Sequence, residues 1–412
     1  MKKQENDGLG TIIEQALAEM PEVGKWQSDF LEELYKTILL IQGKVNFSSL
    51  ARHSDLHEKT YQRRYRDDFD FESFNVECIK QRPVKGDLVA ALDATYVSKS
   101  GKKTEGLGYF YNGCVNKTMK GLELSEIALI DQVSRQAYAF SAKQTIDTED
   151  ESRLMLYAEH VKSCIDTMPE EVKYLLTDGY YSKQPFVDAI CGLDRDLELI
   201  GKLRHDADLK YLYEGEQSGV GRNREYDGKV YFNDFSRFDY EGEIQKDIHL
   251  YVQTVKHRTL NRIIRVVALV DRSDPDKPKH ILLFSTDLKL SGKEILDLYR
   301  LRFQIEFLIR DAKQFTGLNH CQARDAEALD FHFNSSMSAV NLAKIDLQKQ
   351  HQHQQFPDPN TPDFVFSLAP YKRQNFCHRL LKRLLSKLDL SLTSKKVSKA
   401  FYSSLDFGTS VL

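Results

Sequence analysis

Long apolar runs are missing from this 412-residue chain. No uncharged stretch approaches the ~20 residues that a membrane-spanning helix needs, so no membrane partner is expected. The first ten residues, MKKQENDGLG, hold no apolar core of the kind a secretory signal carries, and the expected compartment is the cytoplasm. Close cysteine pairs are missing too. Cys78, Cys114, Cys164, Cys191, Cys321 and Cys377 lie far apart with no C-x-x-C among them, which excludes a zinc knuckle or a dithiol redox motif and leaves reduced, mostly packed thiols. Net charge is small, at -3, where nucleic-acid-binding domains often run basic. Tryptophan is reduced to Trp26, and no internal repeat is present.

What is there is the ordinary material of a globular protein, 41% hydrophobic and 29% charged, with length for two to four domains. Charge is clustered rather than absent. Acids gather at Asp67, Asp68, Asp70 and Glu72 and again at Asp147, Glu149, Asp150 and Glu151, while bases gather at Arg63, Arg64 and Arg66 and in the C-terminal tail. Local sign matters more than the sum.

Residues 1–80 have apolar residues at helical spacing. A short helix at 47–53, a turn at 54–57 and a helix from 58 to about 67 give the outline of a helix-turn-helix over 46–67. Arg63, Arg64 and Arg66 stand there beside Tyr61 and Tyr65, and arginine suits phosphate forks and guanine edges. The other reading is a solvated helix face in a small bundle. Residues 86–204 begin as a strand meander (87–97, 107–115, 122–130, 136–142), then alternate helix and strand (151–168, 172–177, 183–191, 196–202), which describes a mixed α/β sheet. A β-rich insertion follows at 205–290, with a polar loop at 214–229 and strands at 230–235, 248–255, 263–270 and 280–285. Residues 291–347 are helical, 348–362 read as a linker, and 363–412 as a basic amphipathic helical region that either touches nucleic acid or exposes a solvated face.

The segment 299–313, YRLRFQIEFLIRDAK, carries Tyr299, Arg302, Glu306 and Lys313 within roughly 60° of one another on an ideal helix. The rest is apolar on most faces and is expected to be buried. Buried charges need partners or a metal. One acid, two bases and a phenol suit a metal-and-phosphate site; an internal Arg–Glu pair with a snorkelling lysine is the bland alternative. Two more acids stand out. Asp93 sits inside an apolar strand, and Asp178 follows one. Singly, each has a plain explanation: a satisfied loop amide for the first, a turn for the Asp-Gly pair.

Taken in order, the Asp in a long strand, the Asp at the end of a later strand and the Glu on a helix after a β-rich insertion resemble the DDE transposases of bacterial insertion sequences. The helix matches the group defined by Tyr-x2-Arg-x3-Glu-x6-Lys. The resemblance extends to LDATYVSKSGKKTEGLG, LLTDGYYS and TGLNHCQARDAEAL, spanning residues 88–345. It implies a mixed α/β, ribonuclease-H-like core in which Asp93, Asp178 and Glu306 hold two Mg2+ or Mn2+ ions, since hard oxygen ligands favour those cations. It implies further that Arg302, Lys313 and Tyr299 contact phosphates of double-stranded DNA, with Lys99, Lys102 and Arg204 as weaker candidates. The implied reaction is cleavage at terminal inverted repeats and strand transfer into target DNA, by cut-and-paste, in a homodimer that pairs two ends, in a bacterial cytoplasm at the nucleoid. One departure concerns the hairpin step: some relatives place a base-stacking tryptophan about twenty residues before the signature tyrosine, and here His280 lies nearest. A DNA-binding protein that no longer cuts, a metal nuclease without strand transfer and, remotely, a carboxylate glycosidase are the competing readings.

Overall fold

The computed structural model describes residues 8–113, 115–146, 152–217, 219, 221–274, 279–353 and 366–410. Five helices open the chain: α1 (Gly8–Ala18), α2 (Lys25–Ile38), α3 (Phe47–His53), α4 (Glu58–Arg64) and α5 (Phe71–Lys80). Side-chain caps start three of them, His57 Nδ1 accepting from the Lys59 amide at 3.2 Å before α4. Asn46 accepts from the Ser49 amide and Asp70 from the Ser73 amide, each at 2.9 Å, which satisfies donors that a helix start leaves unpaired. The α3–turn–α4 outline is present. Ser54 organises the turn, its hydroxyl donating to the Leu50 carbonyl at 2.8 Å and accepting from Tyr61 at 2.8 Å. Tyr61 and Tyr65 point inward, with Tyr65 edge-on to Phe47 at 4.9 Å. They are core residues, not surface neighbours of the arginines.

Next come β1 (Leu88–Ser98), β2 (Gly108–Asn112), β3 (Lys117–Asp131), β4 (Ala137–Gln144), α6 (Arg153–Ser163), β5 (Tyr174–Leu176), α7 (Gln184–Cys191) and β6 (Glu198–Lys202). β3 is antiparallel to β1, from Leu88 opposite Asp131 to Ser98 opposite Gly121. β5 lies parallel to β1, and β6 parallel to β5. Leu88 through Leu92 are buried on both faces, as a central strand requires; burial relaxes from Asp93 to Tyr96, where β1 leaves the covering helices.

The strand junction before β1 is locked by Asp131, whose carboxylate is fully buried. It accepts from Arg82 Nε at 2.9 Å, Gly86 N at 2.7 Å and Ser134 N at 2.7 Å. Burial alone would raise its pKa, but these donors outweigh burial and hold the carboxyl below the usual range. Asp131→Ala would strand the Arg82 guanidinium, and we expect a loss of about 3–5 kcal/mol in urea unfolding. Because the folded-state pKa is depressed, this contribution is present above the ordinary aspartate range and lost as pH falls through the depressed value.

The insertion holds β7 (Leu209–Leu212), β8 (Tyr226–Lys229), β9 (Asp239–Gln245), β10 (Ile248–His257), β11 (Arg262–Asp271) and β12 (Lys279–Ser285). It is no separate body: β12 pairs with β6, giving one sheet in the order β2-β3-β1-β5-β6-β12-β11-β10-β7-β8, with β4 on β3 and β9 on β10. Three details depart from expectation. Residues 230–235 form no strand, although Val230 and Phe235 are buried. β8 lies within the stretch read as a polar loop. β9, DYEGEIQ, is an exposed edge strand made by pairing to β10, so its composition carries little apolar signal.

The chain then forms α8 (Gly292–Leu301), α9 (Phe303–Asp311), a π-helical turn Ala312–Thr316, α10 (Ala326–His353), α11 (Leu368–Lys387) and α12 (Lys395–Ser410). Residues 348–353, expected in a linker, continue α10; 354–362 lie outside the described residues, as do 147–151. The basic tail is two helices rather than one. α10 seals the free edge of β4 with two amides: Asn334 pairs with both backbone groups of Ala142 (3.0 and 2.9 Å) and Asn341 with both of Ala139 (2.7 and 2.8 Å), protecting an edge that would otherwise expose unpaired groups. α1, α2 and α5 also pack on α10, and one apolar core runs from Leu9 to Tyr371. The N-terminal helices are therefore built into the core rather than attached to it. Among the described residues no helix is long and apolar enough to cross a membrane.

Candidate active site

Ala91 of β1 stands beside Leu176 of β5 in the parallel pair. Asp93 and Asp178 each lie two residues beyond that rung, Asp93 midway along β1 and Asp178 just past the carboxyl end of β5, where open α/β sheets form their crevices. Asp93 Oδ1 accepts from the Ala94 amide at 2.9 Å. Asp178 Oδ1 accepts from the Tyr180 amide at 2.8 Å, closing the turn of the Asp-Gly pair.

The signature helix brings the third acid. Ser291 and Glu294 form a capping box at the start of α8, which fixes where the helix begins. The segment is not one continuous helix: it is interrupted at Arg302 between α8 and α9 and passes into the π-turn at Ala312. Nor is it buried on most faces. Phe303 is 49% and Phe307 47% exposed, and the Glu306 side chain is 47% exposed. The helix packs one side on β1 and β4 and turns the other toward solvent, so its apolar surround marks an open site rather than an interior.

Arg302 is the buried charge, 6% exposed. Its Nη2 donates to Glu306 Oε1 at 2.7 Å, its guanidinium lies 4.7 Å from the Phe303 ring centroid, and its Nε has no hydrogen-bond partner. Burial pulls its pKa down, but the Glu306 hydrogen bond, with Tyr299 and the Glu306 and Asp93 charges, raises it overall. The Asp93 carboxyl is pushed up to about 6, first by burial, then by the charge of Asp178, with Glu306 adding less and Arg302 and the Ala94 amide opposing. The half-buried Tyr299 phenol is raised by burial, with Asp178 and Glu306 among its other causes. Lys313, in the π-turn, donates to Thr95 Oγ1 at 2.6 Å, two residues along β1 from Asp93. Buried Lys372 of α11 donates to the Ile38 carbonyl at 2.9 Å and to the Phe315 carbonyl of the same π-turn. All six expected residues thus gather around the middle of β1, about Asp93 and Thr95.

The donor set suits a hard divalent cation in kind: carboxylates close enough to repel, one of them driven toward neutrality by burial and by its neighbour's charge. In the arrangement present, no three His, Cys, Asp or Glu side chains among the described residues stand close enough together to hold a metal, because Glu306 is turned to Arg302.

The other candidates divide. Lys99 Nζ donates to the Cys321 and Ala323 carbonyls, both at 2.7 Å, tying the loop after the signature helix to β1. Lys102 is exposed in the β1–β2 loop. Arg204 is exposed and clasped to Asp206 at 2.9 and 3.1 Å. Arg63 is exposed on α4; Arg64 pairs with Asp67 at 2.7 Å and Arg66 with Asp325 at 2.9 Å, remote in sequence and joined only by the fold. The His280 ring stacks on Phe232 at 5.0 Å, and its Nε2 bonds the His205 carbonyl at 2.9 Å. Its ring is half-buried and already engaged by Phe232 and the His205 carbonyl.

Glu126 went unnoticed in the sequence. It is the β3 residue directly opposite Asp93, it is fully buried, and neither carboxylate oxygen has a hydrogen-bond partner. Burial raises its pKa well above the ordinary value. The signal that singled out Asp93, an acid inside an apolar strand, applied equally to LELSEIALI.

Residues 145–342 match the family described as the transposase DDE domain; the match includes Asp178 and the whole signature and begins after Asp93. No curated protein matches the chain. Among solved structures, a piggyBac transposase synaptic complex with hairpin DNA is similar over 97% of this chain and 83% of its own, at 11% identity and a TM-score of 0.43. The family match over residues 145–342 supports a DDE-type transposase.

Proposed function

We propose that this chain is a transposase of the insertion-sequence group defined by the Tyr-Arg-Glu-Lys signature, cutting DNA at its element's ends and joining the freed ends to target DNA. The observation that carries the reading is the β1–β5 pairing that sets Asp93 beside Asp178, with α9 packed on β1. The Asp93 carboxyl is raised first by burial, then by the charge of Asp178 and, less, by that of Glu306, so three acids distant in sequence share one field. Strand order β3-β1-β5-β6, with β3 antiparallel and the others parallel, supports a ribonuclease-H-like core.

In this reading Asp93, Asp178 and Glu306 hold Mg2+ or Mn2+, with Glu306 released from Arg302. When bound, two such ions activate the attacking oxygen and stabilise the leaving oxygen of an in-line phosphoryl displacement. Arg302, once freed, offers its planar fork to a phosphate. Lys313 fixes a second phosphate beside β1, and Tyr299 hydrogen-bonds one from its half-buried position. Arg63, exposed on α4, and its neighbours Arg64 and Arg66 are candidates for duplex contacts away from the cut. Pairing of two ends calls for a dimer. A cut-and-paste route is the form of transposition we favour; a hairpin stage has less support, since His280 is already stacked on Phe232.

One observation favours a second reading, a DNA-binding protein that does not cut: the closed Arg302–Glu306 pair at 2.7 Å leaves the acids without a three-ligand cage. Plasmid DNA carrying the element's own ends separates the two. End-specific cleavage that requires Mg2+, stops in EDTA and disappears in Glu306→Ala is the expected result. Specific binding without cleavage under either metal would leave the binder.

A further inference from the structure

The sheet face that carries Asp93 does not end at the acids. Side chains alternate along a strand, and residues directly opposite in an antiparallel pair share a face. Glu126 is opposite Asp93, so steps of two along β3 lead from it through Leu124 and Leu122 to Lys120 and Thr118 on the same face. Tyr109 is opposite Lys120 and Tyr111 opposite Thr118. The two tyrosines are 69% and 58% exposed, whereas Phe110 between them turns to the other face and is 1% exposed, beneath the Arg153 guanidinium at 4.8 Å. Alternation that buries one ring and presents two is a feature of this strand, not of a disordered tip.

The charge on this edge is of one sign. From Ser98 to Gly121 the chain holds five lysines (99, 102, 103, 117 and 120) against one acid, Glu105. Lys99 is committed to loop carbonyls. Glu105 is also committed: its carboxylate accepts from the Ala326 amide at the start of α10 at 3.1 Å. Lys102, Lys103, Lys117 and Lys120 are all exposed, in a protein whose net charge is -3.

We infer that the β1–β2 loop and the β2–β3 edge form a tracking surface for the DNA duplex that adjoins the scissile bond. The inference rests on the proposed DNA substrate. Six residues of β3 separate the Asp93 rung from the Tyr109 rung, or roughly 20 Å at strand rise, which matches about six base pairs at 3.4 Å each. Glu126 at the first rung and Leu124 and Leu122 between the two are fully buried, so the duplex passes over the elements that cover them, and with a phosphate at Asp93 it meets the lysines about half a helical turn away. There the ammonium groups neutralise phosphates, and the tyrosine rings lie against the sugar–phosphate backbone, the Tyr111 hydroxyl being already donated to Asn116 Oδ1 at 3.2 Å. Such contacts position without reading sequence.

The test uses the full chain in EDTA, so that binding is read without cutting. Fluorescence anisotropy is measured over a range of KCl on a duplex carrying the element's end and on an unrelated duplex. The variants are the quadruple Lys102→Gln, Lys103→Gln, Lys117→Gln, Lys120→Gln, the double Tyr109→Ser, Tyr111→Ser, and the quadruple lysine-to-arginine control. The glutamine protein is expected to bind both duplexes roughly 10-fold or more weakly near 100 mM salt. Its slope of log affinity against log salt should fall by about 0.9 for each phosphate it no longer neutralises, and arginine should restore both. A duplex cut back to fewer than about six base pairs beyond the cleavage point should erase the difference between wild type and variant. If wild type binds while the glutamine variant, with an unchanged melting temperature, keeps its affinity and slope, the surface does not touch DNA and only this inference fails. If wild type binds neither duplex at any salt, the DNA substrate fails and this inference with it.

Discussion

Asp93→Asn is expected to abolish metal-dependent cleavage and, in the same protein, to stabilise the metal-free fold. The two effects share one cause. Asp93 is partly buried midway along β1, and burial first, then the charge of Asp178 and, less, that of Glu306 push its carboxyl up to about 6. That crowding is useful only when a cation sits among the acids. Without one it is a cost. The folded-state pKa lies above the unfolded value, so the carboxyl's contribution is complete below the ordinary aspartate range and is lost as pH rises through about 6. By neutral pH the loss is on the order of 3 kcal/mol. Asparagine keeps the shape and removes the charge. Urea unfolding in EDTA should then show the variant more stable than wild type at pH 7.5, with the difference shrinking toward pH 4. Cleavage should fall by about three orders of magnitude or more, as expected when a site loses its main electrostatic group. Equal stability at both pH values would mean that the three acids do not share a field in solution, and the proposed site would lose its chief support.

Glu126→Leu is the second large effect, and its sign runs against intuition for an acid beside an active site. Both carboxylate oxygens are buried without a hydrogen-bond partner. An orphaned buried polar group costs about 1–3 kcal/mol, and replacing it by an apolar side chain of similar size removes that cost. The raised pKa adds a pH slope of the same direction as that of Asp93: stability is lost as pH rises above the ordinary glutamate range. We therefore expect a gain of about 2 kcal/mol near neutral pH, seen as a higher urea midpoint with an unchanged m-value, and a flatter pH profile. Glu126→Gln should recover the pH part alone. A destabilised Glu126→Leu would show that the carboxyl has a partner in solution, and cleavage assays on that variant would then decide whether the partner belongs to the site.

Element types along most of the chain were legible because their periodicities are strong. β1, β3, β10 and β11 are apolar and β-branched runs, and α2 and α10 repeat at helical spacing. Failures came where composition is mute. β9 is polar and exists because β10 offers it an edge. Residues 230–235 are apolar enough for a strand, yet after Val230, whose amide donates to the Leu209 carbonyl at 2.9 Å, the run turns away, and Phe235 is buried by packing alone. The signature segment read as an all-round apolar helix destined for the interior; Phe303 and Phe307 instead face out, since an apolar residue lining an open site has the same one-letter code as one in a core.

The sequence by itself determined which groups the proposed chemistry draws on: three acids, Asp93, Asp178 and Glu306, the last set on one segment with Tyr299, Arg302 and Lys313 at fixed intervals. Those are properties of residue identity and local spacing. Tertiary structure alone decided who meets whom. Parallel pairing of β1 with β5 sets Asp93 beside Asp178, 85 residues apart by number. Antiparallel register sets Glu126 opposite Asp93 and carries that face out to Tyr109, Tyr111 and Lys120. Arg66 meets Asp325 and His280 meets Phe232 only because the sheet and α10 are assembled. A strand slipped by one residue would turn each of its side chains to the other face. Register depends on the burial of the whole sheet, so no local stretch of sequence encodes it.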